Sequence, residues 1–413
     1  MERLKVLVSA FACEPGKGSE PGIGWNWVRQ IARFHDVWVI TRANNREVIE
    51  HAVAEEPMPN IQWVYFDLPR WARFWKKGQR GIHLYYYLWQ IGIYWVAKRL
   101  QGEVGFDLVH HVTLGIYWMP SFLSLLPAPF VWGPVGGGES APWDFYSSFS
   151  LRGKVYEYAR SIARWFGEHD PFVRMMARRA RVSLAKAPET ASRLRDLSSS
   201  RVLVLSDAAL PEEEIGGLAS TPLRRGSAIR LLSLGNLLHW KGFHLGLEAF
   251  ARFQREFVAS EYWIIGDGPE RGNLERLAKR LGMADRVTFC GALARDHVFE
   301  KLVDCDVLVH PTLHDSAGWV CIEAMATGLP VICLDLGGPA MQVTEETGFK
   351  IRAESPEQAV EDMAQAMLRL AEDPELRRIM GEAARERAQE HFSWGKKGKT
   401  IAELYEKVLT PCR

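Results

Sequence analysis

The sequence predicts an α/β protein built from two doubly wound, Rossmann-like domains. Three observations carry this. Short apolar runs of strand length alternate with helical stretches along the chain, the pattern of parallel sheets joined by crossover helices. The alternation comes in two sets, separated by a polar, non-periodic stretch, Gly216–Gly226 (GGLASTPLRRG). The 413 residues also exceed what one ordinary core holds. Domains are therefore expected over 1–215 and 228–394, with a linker at 216–227.

The composition, 47% hydrophobic and 24% charged, is that of a globular protein and excludes disordered and fibrous classes. The net charge of +1 hides an asymmetry: through residue 190 there are 23 Lys and Arg against 17 Asp and Glu, leaving 28 against 33 beyond it. A basic first half and an acidic second half imply different partners. The six cysteines (13, 290, 305, 321, 333, 412) are scattered without metal-ligand spacing, as in a reducing compartment. No signal peptide precedes the first strand, so the expected location is cytoplasmic.

The first set opens with a buried strand, Leu4–Ala10, and a Gly/Pro-rich loop, Ala12–Gly24, before a helix from about Trp25 to Phe34. The glycines at 16, 18, 22 and 24 miss the G-x-G-x-x-G register, so the loop is read as a close backbone approach rather than a dinucleotide site. Strands follow at Val37–Thr41 and Ile61–Phe66. From Arg70 to Leu100 there are seven Lys and Arg and no acid, with Trp and Tyr interleaved. That pattern suits peripheral docking on an anionic membrane; the alternative is an aromatic helix packed inside the first domain. With near-neutral overall charge and no nucleic-acid motif, nucleic acid is not expected as a partner.

Phe106–Val112 is the next buried strand, with His110 and His111 at the end where α/β sheets place ligands. Neighbouring strand residues face opposite ways, so at most one of the two reaches a ligand. Pro129–Pro134 enters a second Gly-rich loop, Val135–Ser140 (VGGGES), in which Gly137 and Gly138 would let a substrate touch backbone and Glu139 offers a polar contact. The alternative there is a flexible turn with a solvated Glu. Residues 143–180 extend the basic, aromatic face, and short strands at Val182–Ala185 and Val202–Leu205 end the domain.

The second set opens with Ile229–Leu234 and GNLLHWKG, a strand and loop delivering Lys241 just before a helix, Leu245–Phe257. A Lys there suits phosphate neutralisation. Trp263–Gly266 runs into an Asp267-Gly268-Pro269 turn, and Val287–Cys290 into Gly291–Leu293. Val307–Val309 then leads into HPTLHDSAGWVCIEAMATGLPVICLDLGGPA, where a helix starts near Ser316–Gly318 and a parallel strand returns at Pro330–Leu334. The small residues Ser316, Ala317 and Gly318 leave helix-terminal amides accessible to a diphosphate. Asp315 before the helix and Glu323 eight positions later are acids on about the same face. Carboxylates repel phosphate, so they suit hydroxyl groups, which points to a sugar. The tail is helical: Pro356–Ala371, Pro374–Glu390 and Gly398–Leu409.

Asp315-x7-Glu323 followed by Ala-Met-Ala-Thr-Gly-Leu-Pro-Val resembles the E-x7-E region of the retaining, group 1 glycosyltransferases of family four, whose GT-B fold sets two Rossmann-like domains across a cleft. The chain departs from that pattern at Asp315, one methylene shorter than the usual Glu, at Ala317, usually aromatic, and at Asn236, usually Arg. The resemblance implies sugar transfer from a nucleotide-sugar to a hydroxyl with retained configuration, EC 2.4 chemistry, in polysaccharide biosynthesis if the acceptor is a lipid- or polyprenyl-linked glycan. It implies that Lys241 and the amides near Gly318 and Trp319 meet the leaving diphosphate, that Glu323 holds the ribose and Asp315 the sugar ring. Gly235, Asn236, Gly266, Asp267, Ala292, Leu293, Ser316, Ala317 and Val320 complete the implied donor side. Gly22, Gly24, His110, Gly137, Gly138 and Glu139 form the implied acceptor side, with His111 favoured over His110 for a catalytic contact. The last helix, 395–413, is expected to return to the first domain. No cofactor and no metal is expected. The remaining alternatives are a same-fold sugar-nucleotide epimerase and a non-catalytic sugar-nucleotide binding module.

Overall fold

A computed structural model of the chain describes residues 2–76, 78, 80–197, 201–223, 226 and 228–410. It divides into two compact units, one of Met1–Gly138, Arg160–Asp207 and Trp394–Arg413, the other of Glu139–Ala159 and Ala208–Ser393.

The first unit holds, among the described residues, a parallel sheet of β1 (Lys5–Ala10), β2 (Asp36–Arg42), β3 (Ile61–Phe66), β4 (Leu108–Thr113), β5 (Phe130–Val135), β6 (Ala180–Ala185) and β7 (Val202–Val204). Their order is β3-β2-β1-β4-β5-β6-β7, so the winding reverses between β1 and β4. Every residue of β4 and β5 is buried, which is why these strands read as continuous runs rather than alternating ones.

The first helix begins at Ser19 and runs to Ala32, earlier than the sequence suggested. Gly22 and Gly24 are therefore buried helical residues and not loop residues. A Cβ on Gly22 would lie 1.9 Å from the Lys17 carbonyl oxygen, and one on Gly24 2.0 Å from that of Ala12. The two glycines let the preceding loop lie directly on the helix, which offsets their poor helix propensity of about 1 kcal/mol each.

The Arg70–Leu100 stretch splits between two environments. Tyr85, Tyr86, Trp89, Ile93 and Ala97 form the buried face of the helix Ile82–Val104, with Phe11 edge-on to both Tyr86 and Trp89 at 5.2 Å. Trp71, Phe74, Leu84 and Trp95 are exposed. Much of the aromatic content thus serves the core. The C-terminal helix, Trp394–Leu409, belongs to this unit and packs Trp394 edge-on against Trp27.

The second unit holds β8 (Ile229–Leu234), β9 (Ser260–Ile265), β10 (Val287–Gly291), β11 (Val307–His310), β12 (Val331–Leu334) and β13 (Gly348–Ile351), again parallel, in the order β10-β9-β8-β11-β12-β13. Here the winding reverses between β8 and β11. The helices Phe243–Glu256 and Pro356–Glu372 cover one face together. Ser355 caps the second of them by accepting from the Gln358 N–H at 3.2 Å, with Pro356 in the first turn, a cap worth about 1 kcal/mol.

The linker expected at 216–227 is helical in its first part, through Ser220, and carries no helix or strand at 221–223; Arg224, Arg225 and Ser227 lie outside the described residues. Glu212–Ser220 is a helix whose Ile215 and Leu218 join a core cluster with Leu302 and Met325. Three glutamates in its first turn suit the positive end of the helix dipole, and a Cβ on Gly216 or Gly217 would meet nothing within 4 Å. The boundary falls instead at Asp207/Ala208, and Glu139–Ala159, expected in the first domain, groups with the second unit.

Candidate active site

In a doubly wound sheet the loops at the carboxyl ends of the strands flanking the reversal form the natural ligand site. In the second unit these are the loops after β8 and β11, and they carry Lys241 and Asp315. Gly242 has φ +67°, and a Cβ there would sit 1.9 Å from the Pro311 carbonyl oxygen. Leu313 N–H donates to the Trp240 carbonyl at 2.8 Å. The two loops are thus tied together on both sides of Lys241.

Lys241 Nζ lies 2.5 Å from Asp315 Oδ2, and the buried His310 places Nε2 at 3.7 Å from the same oxygen. Burial alone would raise the Asp315 carboxyl; the Lys241 ammonium and His310 outweigh it and hold the group well below the ordinary carboxylate range. Asp315 Oδ1 accepts from the amides of Ala317 and Gly318, both at 3.1 Å. The helix itself starts at Trp319, after Gly318 in the left-handed region at φ +64°. Two of the amides expected to meet a diphosphate are therefore already engaged by the carboxylate. Gly337, at φ +59°, and Gly338 press against Asp315 and Ser316, leaving no room for a Cβ at either position.

Glu323 sits in the same helix, almost fully buried. Burial raises its carboxyl to about 7, with Arg295 pulling the other way and Glu214 adding to the rise. Ser316 Oγ donates to Glu139 Oε2 at 2.6 Å, so a residue assigned to the acceptor side meets one assigned to the donor side within a single unit.

The other predicted donor residues fall around the same strand ends. Gly235 and Gly266, both at positive φ, cross so closely that a Cβ on Gly266 would lie 2.0 Å from the Gly235 carbonyl oxygen. Asp267 is exposed and accepts from Gly268 N–H at 2.7 Å. Ala292 and Leu293 follow the end of β10. Asn236, in the place of the usual Arg, is exposed.

A cluster of which the sequence singled out only His239, as a possible stand-in for the missing Arg, surrounds the two residues before Lys241. Glu157 Oε1 accepts from His239 Nε2 at 2.9 Å and from His314 Nε2 at 3.0 Å. Trp240 is stacked between Tyr156 and His314, with ring centroids 5.0 and 5.2 Å away. His239 is thus committed to Glu157. The contributing residues lie far apart in the chain, and no local spacing signals them. Arg295, which bridges Glu323 and Glu214, was missed for the same reason.

In the first unit the predicted residues have mainly structural partners. His110 bonds Tyr405 Oη through Nδ1 and the Gly133 carbonyl through Nε2, both at 2.6 Å, and burial pushes it down to about 3. His111 bonds the Leu114 carbonyl at 3.1 Å and Tyr86 Oη at 3.3 Å through Nε2; it too is buried, which lowers it to about 4. The two rings point to helices on opposite sides of β4, as strand geometry requires, and neither is exposed. His111 Nδ1 is a buried nitrogen without a hydrogen-bond partner. Gly137, at φ +98°, lies under Trp118, and Gly138 donates to Thr190 Oγ1 at 2.9 Å. The buried Lys186, 2.7 Å from Asp207 and 3.6 Å from Glu20, also went unread.

Two doubly wound parallel sheets of these orders define the GT-B fold. Anabaena HepE, solved in complex with UDP, superposes with a TM-score of 0.64 at 17% identity over 98% of this chain and 100% of that one. Residues 222–387 match the family model of glycosyl transferases group 1. The 2-deoxystreptamine glucosyltransferase of Streptomyces kanamyceticus is 25% identical over 339 residues, 82% of this chain and 79% of that protein. The alpha-D-kanosaminyltransferase of the same organism is 29% identical over 179 residues, 43% of this chain and 45% of that protein, so the match spans less than half of its length.

Proposed function

We propose that this chain transfers a sugar from a nucleotide-sugar to an acceptor hydroxyl, with retained configuration. The observation that carries the reading is the Lys241–Asp315 pair at the β8/β11 reversal, with Glu323 buried in the helix Trp319–Thr327 that follows Asp315. In this reading the incoming diphosphate takes Lys241 from Asp315 and draws on the helix amides at Trp319 and Val320. Asp315, released from its cation, accepts from the sugar ring hydroxyls, and Glu323 accepts from the ribose. Lys241 then meets the charge that grows on the leaving diphosphate, the step where fixed electrostatics act most strongly. That cation makes a divalent metal unnecessary.

HepE binds UDP, and a UDP-sugar is the donor to test first. For the acceptor we propose a lipid- or polyprenyl-linked glycan, met at the cytoplasmic face of an anionic membrane, with the exposed Trp71, Phe74 and Trp95 of the basic stretch 70–100 as one contact. Among the described residues no helix is long and apolar enough to cross a membrane, so such contact would be peripheral. The experiment is UDP release from UDP-sugars with membrane extract as acceptor source, in EDTA, by the intact chain and by Glu323→Ala. Release by the intact chain alone supports the reading. Release that is absent in EDTA and returns with an excess of divalent metal overturns the metal-free step; sugar turnover without acceptor moves the protein to an epimerase.

A further inference from the structure

The carboxyl ends of β2 and β3, where doubly wound sheets place ligands, carry a cavity that the reading above does not use. Arg42 is the last residue of β2 and stands in register with Phe66, the last of β3; Asp67 follows directly. Arg70, Arg73 and Lys76 come from the acid-free stretch, and Tyr85 from the helix Ile82–Val104. Together they line about 500 Å³, the size of a site for a small organic molecule, and all belong to the first unit. Four cations thus surround one carboxylate. That carboxylate is already engaged. Asp67 lies 2.8 Å from Arg73 Nη1 and accepts from Tyr85 Oη at 2.5 Å. Arg42, Arg70 and Lys76 make no ion pair among the described residues. The half-buried Arg42 lies over the Phe11 ring, 4.4 Å from its centre, and donates through Nε to the Phe11 carbonyl at 2.9 Å. Burial pulls its guanidinium below the ordinary value, and Tyr85, Glu14 and Asp67 only partly offset this. Lys76 Nζ sits 4.9 Å from the centre of the Tyr85 ring and donates to the Gly78 carbonyl at 3.2 Å. These contacts hold Arg42 and Lys76 in place without neutralising them.

We propose that this cavity binds a phosphate or diphosphate ester. Charge selects the ligand. Even with Glu14 counted beside Asp67, the cations leave a surplus of two, which a single carboxylate does not meet and a phosphate does. The guanidinium forks of Arg42 and Arg73 suit the paired oxygens of a phosphate. Phe74, which also lines the cavity and is 78% exposed, and Tyr85 offer apolar walls, so the ligand carries an organic group beside its charge. Two sources supply that chemistry: a soluble ester, such as the phosphate-bearing end of an acceptor, and the headgroup of a membrane phospholipid. The proposal goes beyond sugar transfer and does not depend on it, since Lys241, Asp315 and Glu323 belong to the other unit.

The test is titration calorimetry of the full chain with farnesyl diphosphate and with inorganic pyrophosphate, in excess UDP to occupy the second unit. Hydrogen exchange on the same samples locates the ligand. Both diphosphates are expected to bind, more weakly as salt rises, and to protect peptides spanning 42–45 and 67–85. Arg70→Gln with Lys76→Gln should weaken binding at least about tenfold. The melting temperature of the ligand-free double variant should hold or rise, because repulsion between like charges is relieved. Cations with a purely structural role would lower it. Vesicles of phosphatidylcholine and phosphatidylglycerol separate the two sources. Displacement of pyrophosphate by the vesicles assigns the site to a headgroup; pyrophosphate binding unchanged by them assigns it to a soluble ester. No binding of either diphosphate, protection confined to the loops around Lys241, or binding undiminished in the double variant overturns the proposal. Failure of UDP itself to protect the loops around Lys241 overturns the donor reading alone.

Discussion

Arg295 holds Glu323 by one guanidinium nitrogen at 2.9 Å while the other lies 2.6 Å from Glu214. The group proposed to receive the ribose is thus occupied by a side chain that is itself half in solvent. The arrangement makes Glu323 sensitive to pH. Its folded carboxyl is raised by burial to about 7 from an ordinary 4.5. A carboxyl that keeps its proton more firmly when folded lends stability below its ordinary value and loses that contribution as pH rises through about 7. Glu323→Gln should therefore gain on the parent chain between about pH 5 and about pH 8, by on the order of 2 kcal/mol. Urea melts at the two pH values measure it. In the parent chain, UDP affinity should strengthen over the same interval, as the ionised carboxylate becomes the better acceptor for ribose hydroxyls; titration calorimetry reads it.

Removing Lys241 has two separable effects. Lys241→Met leaves Asp315 without its cation, so stability should fall by about 3 kcal/mol, and turnover by at least about 100-fold. Adding Asp315→Asn removes the stranded charge. The double variant should regain most of the stability and none of the turnover. Recovery of turnover would show that Lys241 serves only to neutralise Asp315.

Two glycines of the second unit should respond oppositely to alanine. At Gly242 the left-handed backbone and the Pro311 carbonyl both forbid a Cβ, so Gly242→Ala should cost about 2 kcal/mol or more and displace Lys241, lowering kcat. At Gly217, in the helix Glu212–Ser220, a Cβ meets nothing within 4 Å, and alanine should stabilise by about 0.5–1 kcal/mol. Denaturation curves and initial rates on the two variants decide.

His110→Phe should test whether the first-unit histidines are structural. It removes the bonds to Tyr405 and Gly133, an expected loss of about 2 kcal/mol, and should leave UDP binding unchanged. A selective rise in acceptor KM at unchanged stability would return His110 to the acceptor side.

The strands were legible because buried parallel strands are uninterrupted apolar runs; Ile61–Phe66 and Ile229–Leu234 match to the residue. β13, only Gly348–Ile351 and interrupted by the exposed Lys350, left no such run. Asp315, Glu323 and Lys241 were readable from local spacing, since each lies within a few residues of a strand end or helix start. Glu157 was not, because its partners stand 82 and 157 positions away. Gly22 and Gly24 were read as loop because glycine weakens a helix in isolation, whereas here it admits a neighbouring backbone. The aromatics of 70–100 carried no mark separating Trp89, in the core, from Trp95, on the surface.

The seam at His110 and Tyr405 also sets an order of events during synthesis. The first unit needs residues from both ends of the chain, with the whole of 208–393 intervening. While the ribosome still holds the last helix, β4 lacks the hydroxyl that satisfies its buried imidazole, and Trp27 lacks Trp394. The second unit has all its parts by then. The half made first is thus the half finished last, and its unfinished face is what a nascent-chain chaperone would meet.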